Sequence, residues 1–583
     1  MLKPTAPTNH LLSTHLLTRA NRAEAKTLTE RLARHAAERP SAAAVTLIPS
    51  GGAAETTLSY AAFWEGAGRY AAALRAVGIG QRDLVILVID HGEPLLYAFW
   101  GALRIGAIPS MFPFLSDKLD AALYFERVKA LVSHSGARAV IASPAYAESL
   151  SALMAGSGVA ILSERDLHPT AGADIALPAT APDQIAFLQH SSGTTGLQKG
   201  VALAHDAVLN HLAAYSDTLR LTPDDVIVSW LPLYHDMGLI AGFILPLVQG
   251  IPLILMSPHH WVRDPRILLQ AITRHRGTLC WLPNFAYNFM ATRIRDDALA
   301  GVDLQTMRAF VNCSEPMRAE SHRLFLNRYR AYGLRPEALT TCYAMAENTF
   351  AVTQGGIDSP VRLDRISRAA LMESNRALSA QGDEPHAEML CCGTAIPNCR
   401  VRILGSTPEG ERRDLPERQV GEVAVQSDSM LSEYYRRPDL TEAVLFDGWY
   451  LTGDYGYLAE GGLYITGRKK DLIIVGGKNI YPQDLEALAD TIEGVKAGRV
   501  VVFGVDDTRL GTEAIVLVAE SEIEDEDARF EVARRIRLRV AAETEVTLND
   551  VRVVDLKWLH KTSSGKIARG ANREKYLAEF GTR

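Results

Sequence analysis

The run His190-Ser191-Ser192-Gly193-Thr194-Thr195-Gly196-Leu197-Gln198-Lys199-Gly200 carries the densest chemistry in the chain. Its glycines free backbone N–H groups to curl around an anion, its serines and threonines donate further hydrogen bonds, and Lys199 adds a positive charge. Together these residues make a cradle for polyphosphate. The stretch is not a P-loop of the kind that needs Gly-Lys followed by Ser or Thr, because Gly200 follows Lys199. Glycines and hydroxyls alone would make an ordinary turn. The lysine and the flanking elements shift the reading towards anion binding. Before the run, 184–189 carries Ile185, Phe187 and Leu188 in a strand-like pattern, and after it Val208, Leu212, Tyr215 and Leu219 recur at helical spacing. A loop between a strand and a helix is therefore expected.

The elements that must hold this loop follow from the rest of the chain. At 583 residues two or more domains are expected, and 47% hydrophobic with 22% charged residues is the composition of a folded globular chain. A net charge of −7 argues against nucleic acid as a partner. The six cysteines have no paired metal-ligand spacing and are expected to be reduced and buried. No signal peptide is visible before Arg22, and the apolar zone 226–256 is broken by His235, Asp236, Gln249 and prolines, so an integral membrane span is not expected and a cytoplasmic enzyme is. The first ~180 residues alternate helical patterns (28–37, 95–103) with apolar runs such as 84–89, which predicts parallel βα units.

Further chemistry sits at the ends of such runs. Val226 to Trp230 leads into Leu231-Pro232-Leu233-Tyr234-His235-Asp236-Met237-Gly238, and Cys280-Trp281-Leu282-Pro283-Asn284-Phe285-Ala286-Tyr287 follows later. Asn312-Cys313-Ser314-Glu315-Pro316 and Tyr343-Ala344-Met345-Ala346-Glu347-Asn348 come next, then Thr452-Gly453-Asp454, Gly467-Arg468-Lys469-Lys470-Asp471 and Lys561-Thr562-Ser563-Ser564-Gly565-Lys566. Taken singly, each has a plain reading as a helix start, a solvated carboxylate, a turn or an exposed loop.

In this fixed order the motifs resemble the adenylate-forming superfamily of acyl-CoA synthetases, fatty acyl-AMP ligases, luciferases and peptide-synthetase adenylation domains, and most closely its fatty acyl-AMP ligase branch. The resemblance implies an α/β fold, with a large N-terminal domain of several subdomains (1–467) and a small, mobile α+β C-terminal domain (468–583). ATP and Mg²⁺ are the implied cofactors. ATP would be bound by Ser192, Gly193, Thr194, Thr195, Gly196, Lys199, Ser314, Glu315, Tyr343, Ala344, Met345, Asp454 and Arg468. Tyr343 would stack on adenine, Asp454 would accept from both ribose hydroxyls, and Glu347 would hold Mg²⁺. Lys566 would reach the reacting carboxylate and α-phosphate, His235 would orient the carboxylate, and Lys470 would be the hinge pivot. Met237, Trp281, Asn284, Phe285 and Cys313 would line the acyl pocket. Gln198, Ala344 and His560 depart from the residues usual in that family.

Trp281 and Leu282 stand where long-chain members carry small residues. A buried indole there would shorten the acyl tunnel; the alternative is that it faces the core elsewhere. The stretch 355–389, with Leu363–Leu378 read as helical, falls where fatty acyl-AMP ligases carry an insertion that hinders the rearrangement needed for CoA transfer. The implied reaction makes acyl-AMP and pyrophosphate from a carboxylic acid and ATP, then passes the acyl group to the phosphopantetheine thiol of an acyl carrier protein. Free CoA as acceptor, an amino or aryl acid as substrate, and a non-catalytic nucleotide-binding relative remain alternatives. The arginines 529, 534, 535, 537 and 539, after the acidic run 520–527, are either a solvated face or a dock for an acidic carrier.

Overall fold

The computed structural model describes residues 15–51, 53–115, 121–167, 175–190, 199–406, 411–475, 478–507, 512–544, 546–562 and 565–580. The alternation read from the first part of the chain becomes parallel βα units. In one seven-stranded sheet the strands Ile185–His190, Ile108–Met111, Leu84–Val88, Ala139–Ala142 and Ala160–Ser163 lie side by side and parallel. Leu84–Val88 is buried along its whole length, as a strand covered on both faces must be. A nine-stranded sheet has a parallel centre in which Leu339–Ala344, Ala309–Asn312, Leu279–Leu282, Ile227–Ser229, Leu253–Met256 and Ala43–Ile48 follow one another. Apolar residues from both sheets, such as Val85 and Phe187 from one and Val45 and Ile227 from the other, join one continuous core.

The helices between the sheets approach closely. Gly101, in the helix Glu93–Arg104, lies where a Cβ would come 2.7 Å from Tyr70 Cβ and 2.9 Å from the Ala67 carbonyl oxygen, so glycine sets the spacing to the helix Tyr60–Ala76. An antiparallel six-stranded sheet then carries Cys399–Ser406, Gly421–Ser427, Trp449–Ala459 and Gly462–Arg468. The chain ends in a smaller unit with its own core. There the three-stranded sheet of Val500–Asp507, Thr512–Ser521 and Asp550–Asp555 packs with the helices Pro482–Asp490 and Glu526–Thr544 through Leu485, Leu488, Val502, Leu517, Val532 and Ile536. The large N-terminal and small C-terminal division of an α/β fold is thus present. Among the described residues no helix is long and apolar enough to cross a membrane.

Two local expectations are corrected. The run 190–200 does not join a strand to a helix: Gly200–Ala204 is a second strand, antiparallel to Ile185–His190, and the helix His205–Leu219 starts only after it. The short apolar run Val201-Ala202-Leu203 pairs with Gln189, Leu188 and Phe187. In the 355–389 stretch, Leu363–Ser367 is a strand rather than the start of a helix, and it pairs antiparallel with His386–Leu390. Its burial alternates with period two, Asp364 and Ile366 inward, which is strand spacing. The helix is only Arg368–Ser374, opened by Ser367, whose Oγ accepts from the Ala370 N–H.

This strand–helix–strand excursion is anchored on both sides. Asp364 accepts from the Tyr457 hydroxyl (2.9 Å) and from Arg418 (3.0 Å), which ties it to the larger domain. On the other side Asn479 Nδ2 donates to Asn375 Oδ1 at 2.6 Å, Arg368 lies 3.8 Å from Asp484, and Met372 packs on the core of the small unit.

Candidate active site

The strand Ile227–Ser229 runs out through Pro232 into Tyr234-His235-Asp236 and then into a π-helical segment, Met237–Ile244. Wide turns of this kind re-aim side chains and often mark functional positions. Asp236 caps it, accepting from the Met237 N–H at 2.8 Å. Gly238 is required, since a Cβ would lie 2.2 Å from the Pro232 carbonyl oxygen. The turn holds His235 with Nε2 buried and without a hydrogen-bond partner. Burial first, and then the Lys566 ammonium, push the imidazole pKa down to about 3. Burial raises the Asp236 carboxyl, and Lys566 opposes that.

The charge of Lys566, carried by the small domain, is thus felt at this turn. Lys566 itself sits in the turn closed by the Lys561–Ile567 bridge, with its own N–H donating to Thr562 Oγ1 at 3.2 Å. His560 fits the same turn well: its N–H donates to the buried Asn572 Oδ1 (2.7 Å), a bond that proline could not make.

A second group collects around Asp454. The Tyr343 hydroxyl donates to Asp454 Oδ2 at 2.7 Å, and Arg468 Nε lies 3.6 Å from Oδ1. Burial raises the carboxyl pKa, and the Arg468 guanidinium and the tyrosine hydrogen bond counter it. Thr452 and Asp454 belong to the strand Trp449–Ala459, where Thr452 Oγ1 accepts from the Asp454 N–H. Ala344 sits at a bulge in the pairing of Leu339–Ala344 with Ala351–Gln354, without positive φ, so its methyl brings no backbone strain. Met345 precedes the short helix Ala346–Asn348 that carries Glu347.

The third group surrounds Glu347, whose Oε1 accepts from the Tyr434 hydroxyl at 2.7 Å; Tyr434 and Tyr450 hydroxyls are 2.8 Å apart. Lys199 Nζ lies over the Tyr434 ring, 4.6 Å from its centroid. One tyrosine thus touches both the lysine of the phosphate run and the carboxylate expected at the metal. Tyr434 and Tyr450 were not singled out from the sequence, where neither has a distinctive spacing. Ser192, Gly193, Thr194, Thr195 and Gly196 lie outside the described residues. The strand leading to them is pinned by His190, whose Nε2 is 2.7 Å from Ser110 Oγ.

The residues expected to line an acyl pocket differ in surroundings. Met237, Trp281 and Cys313 are buried. The Trp281 indole N–H donates to the Tyr215 hydroxyl (2.9 Å), which donates to Gln354 Oε1 (2.8 Å), so the ring is fixed by a buried polar chain. Asn284 is buried in a second network with Asn312 and Ser321, while Phe285 is 42% exposed beside the stacked Trp230 and Trp261. The Phe285 N–H donates to Glu315 Oε2 at 3.0 Å, and Ser314 takes a positive φ of 68°, which turns that segment across the end of its strand. Lys470 lies in the turn Lys469–Asp471 between Gly462–Arg468 and Ile473–Val475, where a hinge was expected.

The described residues thus bring together a lysine over the ring of a tyrosine that also holds a carboxylate, and a buried imidazole that feels a lysine of the smaller domain. The AMP-binding enzyme family matches residues 32–435, and the chain belongs to it, as an ATP-using, adenylate-forming enzyme. It is 31% identical over 531 residues to the 4-hydroxyphenylalkanoate adenylyltransferase of Mycobacterium tuberculosis, covering 85% of this chain and 82% of that protein. It is 33% identical over 414 residues, 69% of each protein, to the medium-chain-fatty-acid acyl-carrier-protein ligase JamA of Moorena producens. A chain solved in a study of fatty acyl-adenylate ligases from E. coli and L. pneumophila superposes with a TM-score of 0.87 at 28% identity, over 96% of this chain and 99% of that one.

The buried imidazole has a measurable consequence. With a folded pKa of about 3 against 6.5, His235 takes up a proton on unfolding anywhere between those values. Its contribution to stability is therefore present above pH ~6.5 and is lost as pH falls, by up to about 1.4 kcal/mol per unit. His235→Gln is expected to flatten the rise of unfolding free energy between pH 4 and 6 by up to about one proton. Equal slopes in chemical denaturation would show an ordinary, solvated histidine.

Proposed function

We propose that the chain activates a carboxylic acid as its acyl-AMP and transfers the acyl group to the phosphopantetheine thiol of a carrier protein. The observation that carries this reading is the buried Nε2 of His235, left without a hydrogen-bond partner beyond the end of the strand Ile227–Ser229, at a turn where the charge of Lys566 from the small domain is felt. A carboxylate oxygen bonds to the α-phosphorus of ATP while the bond to the bridging oxygen breaks, and that electron pair leaves with pyrophosphate. Two anions at about 4 Å repel by about 1 kcal/mol in water and about 4 kcal/mol at an effective dielectric near 20. Neutralising that repulsion is the main task, and Lys566 and Lys199 supply cations at the two ends of the reacting group. Neutral His235 donates one ring N–H to the substrate carboxylate and fixes its direction of approach.

Tyr343 covers the adenine, Asp454 accepts from the ribose hydroxyls, and Arg468 sits over the ribose or phosphate. Ser314, Glu315, Ala344 and Met345 border the nucleotide. Glu347 would hold Mg²⁺: one carboxylate suits an ion that keeps waters and substrate phosphate oxygens as its other ligands, and among the described residues no cluster of three or more His, Cys, Asp or Glu forms a metal cage. When bound, the ion neutralises phosphate charge. The larger domain ends at about residue 467, with Lys470 as pivot. In the second step the thiol sulfur bonds to the acyl carbon, the thiol proton is lost, and AMP leaves.

Carrier rather than CoA as acceptor is supported by the 363–390 excursion, which grips the small domain through Arg368, Met372 and Asn375 and so resists its rearrangement. An aryl acid is the second reading. It is favoured by the fixed indole of Trp281, which suits a compact substrate, and by the likeness to the 4-hydroxyphenylalkanoate enzyme.

Lys566→Ala is expected to cut pyrophosphate release by about a hundredfold or more, with ATP affinity changed little, because the lysine acts on the charge that develops in the transition state. Unchanged release would remove the mechanism. Mass spectrometry of the enzyme with ATP, Mg²⁺, an acid library and either CoA or a pantetheinylated carrier is expected to show acyl-AMP persisting with CoA and discharging onto the carrier. Formation of acyl-CoA would make the chain an acyl-CoA synthetase. Trp281→Gly should lengthen the longest acid accepted, and an unmoved limit would place the indole away from the acyl path.

A further inference from the structure

The helix Pro482–Asp490 of the small domain carries two enclosed carboxylates, and each meets an arginine from a different part of the larger domain. Asp484 faces Arg368 of the excursion at 3.8 Å. Asp490 faces Arg318, with Nη1 3.3 Å from Oδ2, and its other oxygen accepts from the Gly498 N–H at 3.1 Å. The Asp490 side chain is 15% exposed and that of Arg318 35%. The pair is thus partly desolvated, and removal of either partner leaves a charge without compensation.

Arg318 differs from an ordinary interdomain arginine in what its backbone does. It is the cap residue of the helix Ala319–Tyr329, and its N–H donates to Asn284 Oδ1 at 3.0 Å. Asn284 Oδ1 also accepts from Asn312 Nδ2 (3.0 Å), and Asn284 Nδ2 donates to Ser321 Oγ (3.1 Å). Asn312 Nδ2 is 2.9 Å from His322 Nε2, which extends a buried polar network in which Asn312 Oδ1 has no hydrogen-bond partner. Asn312 ends its strand directly before Cys313-Ser314-Glu315, and Asn284 opens the helix that carries Phe285. One residue therefore joins the segment bordering the nucleotide and acid to the helix on which the small domain seats.

We propose that Arg318 is a positioning residue that seats the small domain in its adenylating pose, and so places Lys566, through its ion pair with Asp490. This rests on the adenylation reading above. In that role Arg318 touches neither ATP nor acid, and it acts on the rate of the first half-reaction rather than on substrate affinity. The thioester-forming half-reaction starts from acyl-AMP, with the α-phosphate already bonded, and does not depend on where Lys566 is placed.

The test uses the full chain with octanoic acid and 3-(4-hydroxyphenyl)propanoic acid as probes. Arg318→Asp and Asp490→Arg should each lower kcat for pyrophosphate release about tenfold, the scale of losing one partly buried ion pair, and leave KM for ATP within about twofold. The double swap should recover most of the loss, and Arg318→Lys part of it. Discharge of synthetic octanoyl-AMP onto pantetheine should be unchanged in the single variants. Amide hydrogen exchange over 482–490 supplies a readout that needs no turnover: faster exchange in both single variants and its reversal in the double are expected. Unchanged exchange in the single variants, or a double swap no better than either, overturns the latch. Wild-type protein that releases no pyrophosphate with either acid, yet shows the exchange pattern, would instead count against the adenylation reading and leave the seating contact standing.

Discussion

The charge of one cation of the small domain is felt at a buried polar turn of the large one, and the proposed chemistry depends on that coupling. Lys566 acts on His235 and Asp236 in opposite ways: it makes the imidazole harder to protonate and the carboxylate easier to ionise. Asp236 is already engaged by its capping bond, so an ammonium acting on this turn keeps charge to offer a further anion. Had His235 been a cation, it would have repelled Lys566 and weakened the seat of the small domain. In the proposed mechanism, burial of the imidazole therefore serves both the approach of that cation and the orientation of the acid.

The same logic explains the paired groups further along the cleft. Asp454 is costly to ionise where it lies, and Tyr343 and Arg468 offset that cost from two different segments. Glu347 is held by Tyr434, which also carries Lys199 on its ring face. Each carboxylate is therefore fixed by a tyrosine hydroxyl before any ligand arrives. Such fixing removes reorganisation from the binding step, which is where a polar site in a low-dielectric setting gains most. The arginines of the helix Glu526–Thr544 show the contrast. Arg529, Arg534, Arg535, Arg537 and Arg539 have acidic neighbours in their own domain, Asp555, Glu531, Glu493, Asp550 and Glu543, so the solvated-face reading of that run is the better supported.

What could be read beforehand was what lies close in sequence. The parallel βα units were legible because hydrophobic period is a local signal, and the motif residues were legible because each motif is short. The hairpin after Lys199 was missed because a five-residue apolar run looks the same whether it pairs as a strand or opens a helix. Leu363–Ser367 was misread although its alternation was present, since the helical spacing of Ile366 and Ala370 overlapped it. Tyr434 and Arg318 could not have been found, because their roles depend on partners 87 and 172 residues away. Tertiary contacts of that separation leave no mark on local periodicity.

The excursion at 363–390 illustrates how a modest addition acquires mechanical weight. A two-stranded sheet is marginal by itself, and this one is held by burying Ile366, Leu371 and Ala387 against Tyr457 and Tyr481, the latter from the segment that begins the small domain. Asp364 locks the other side through Tyr457 and Arg418. The sheet therefore gains its stability from the two bodies it joins, and separating them would expose its apolar face and leave Asp484 without Arg368. A domain that must turn by a large angle between half-reactions would meet that cost on every turnover.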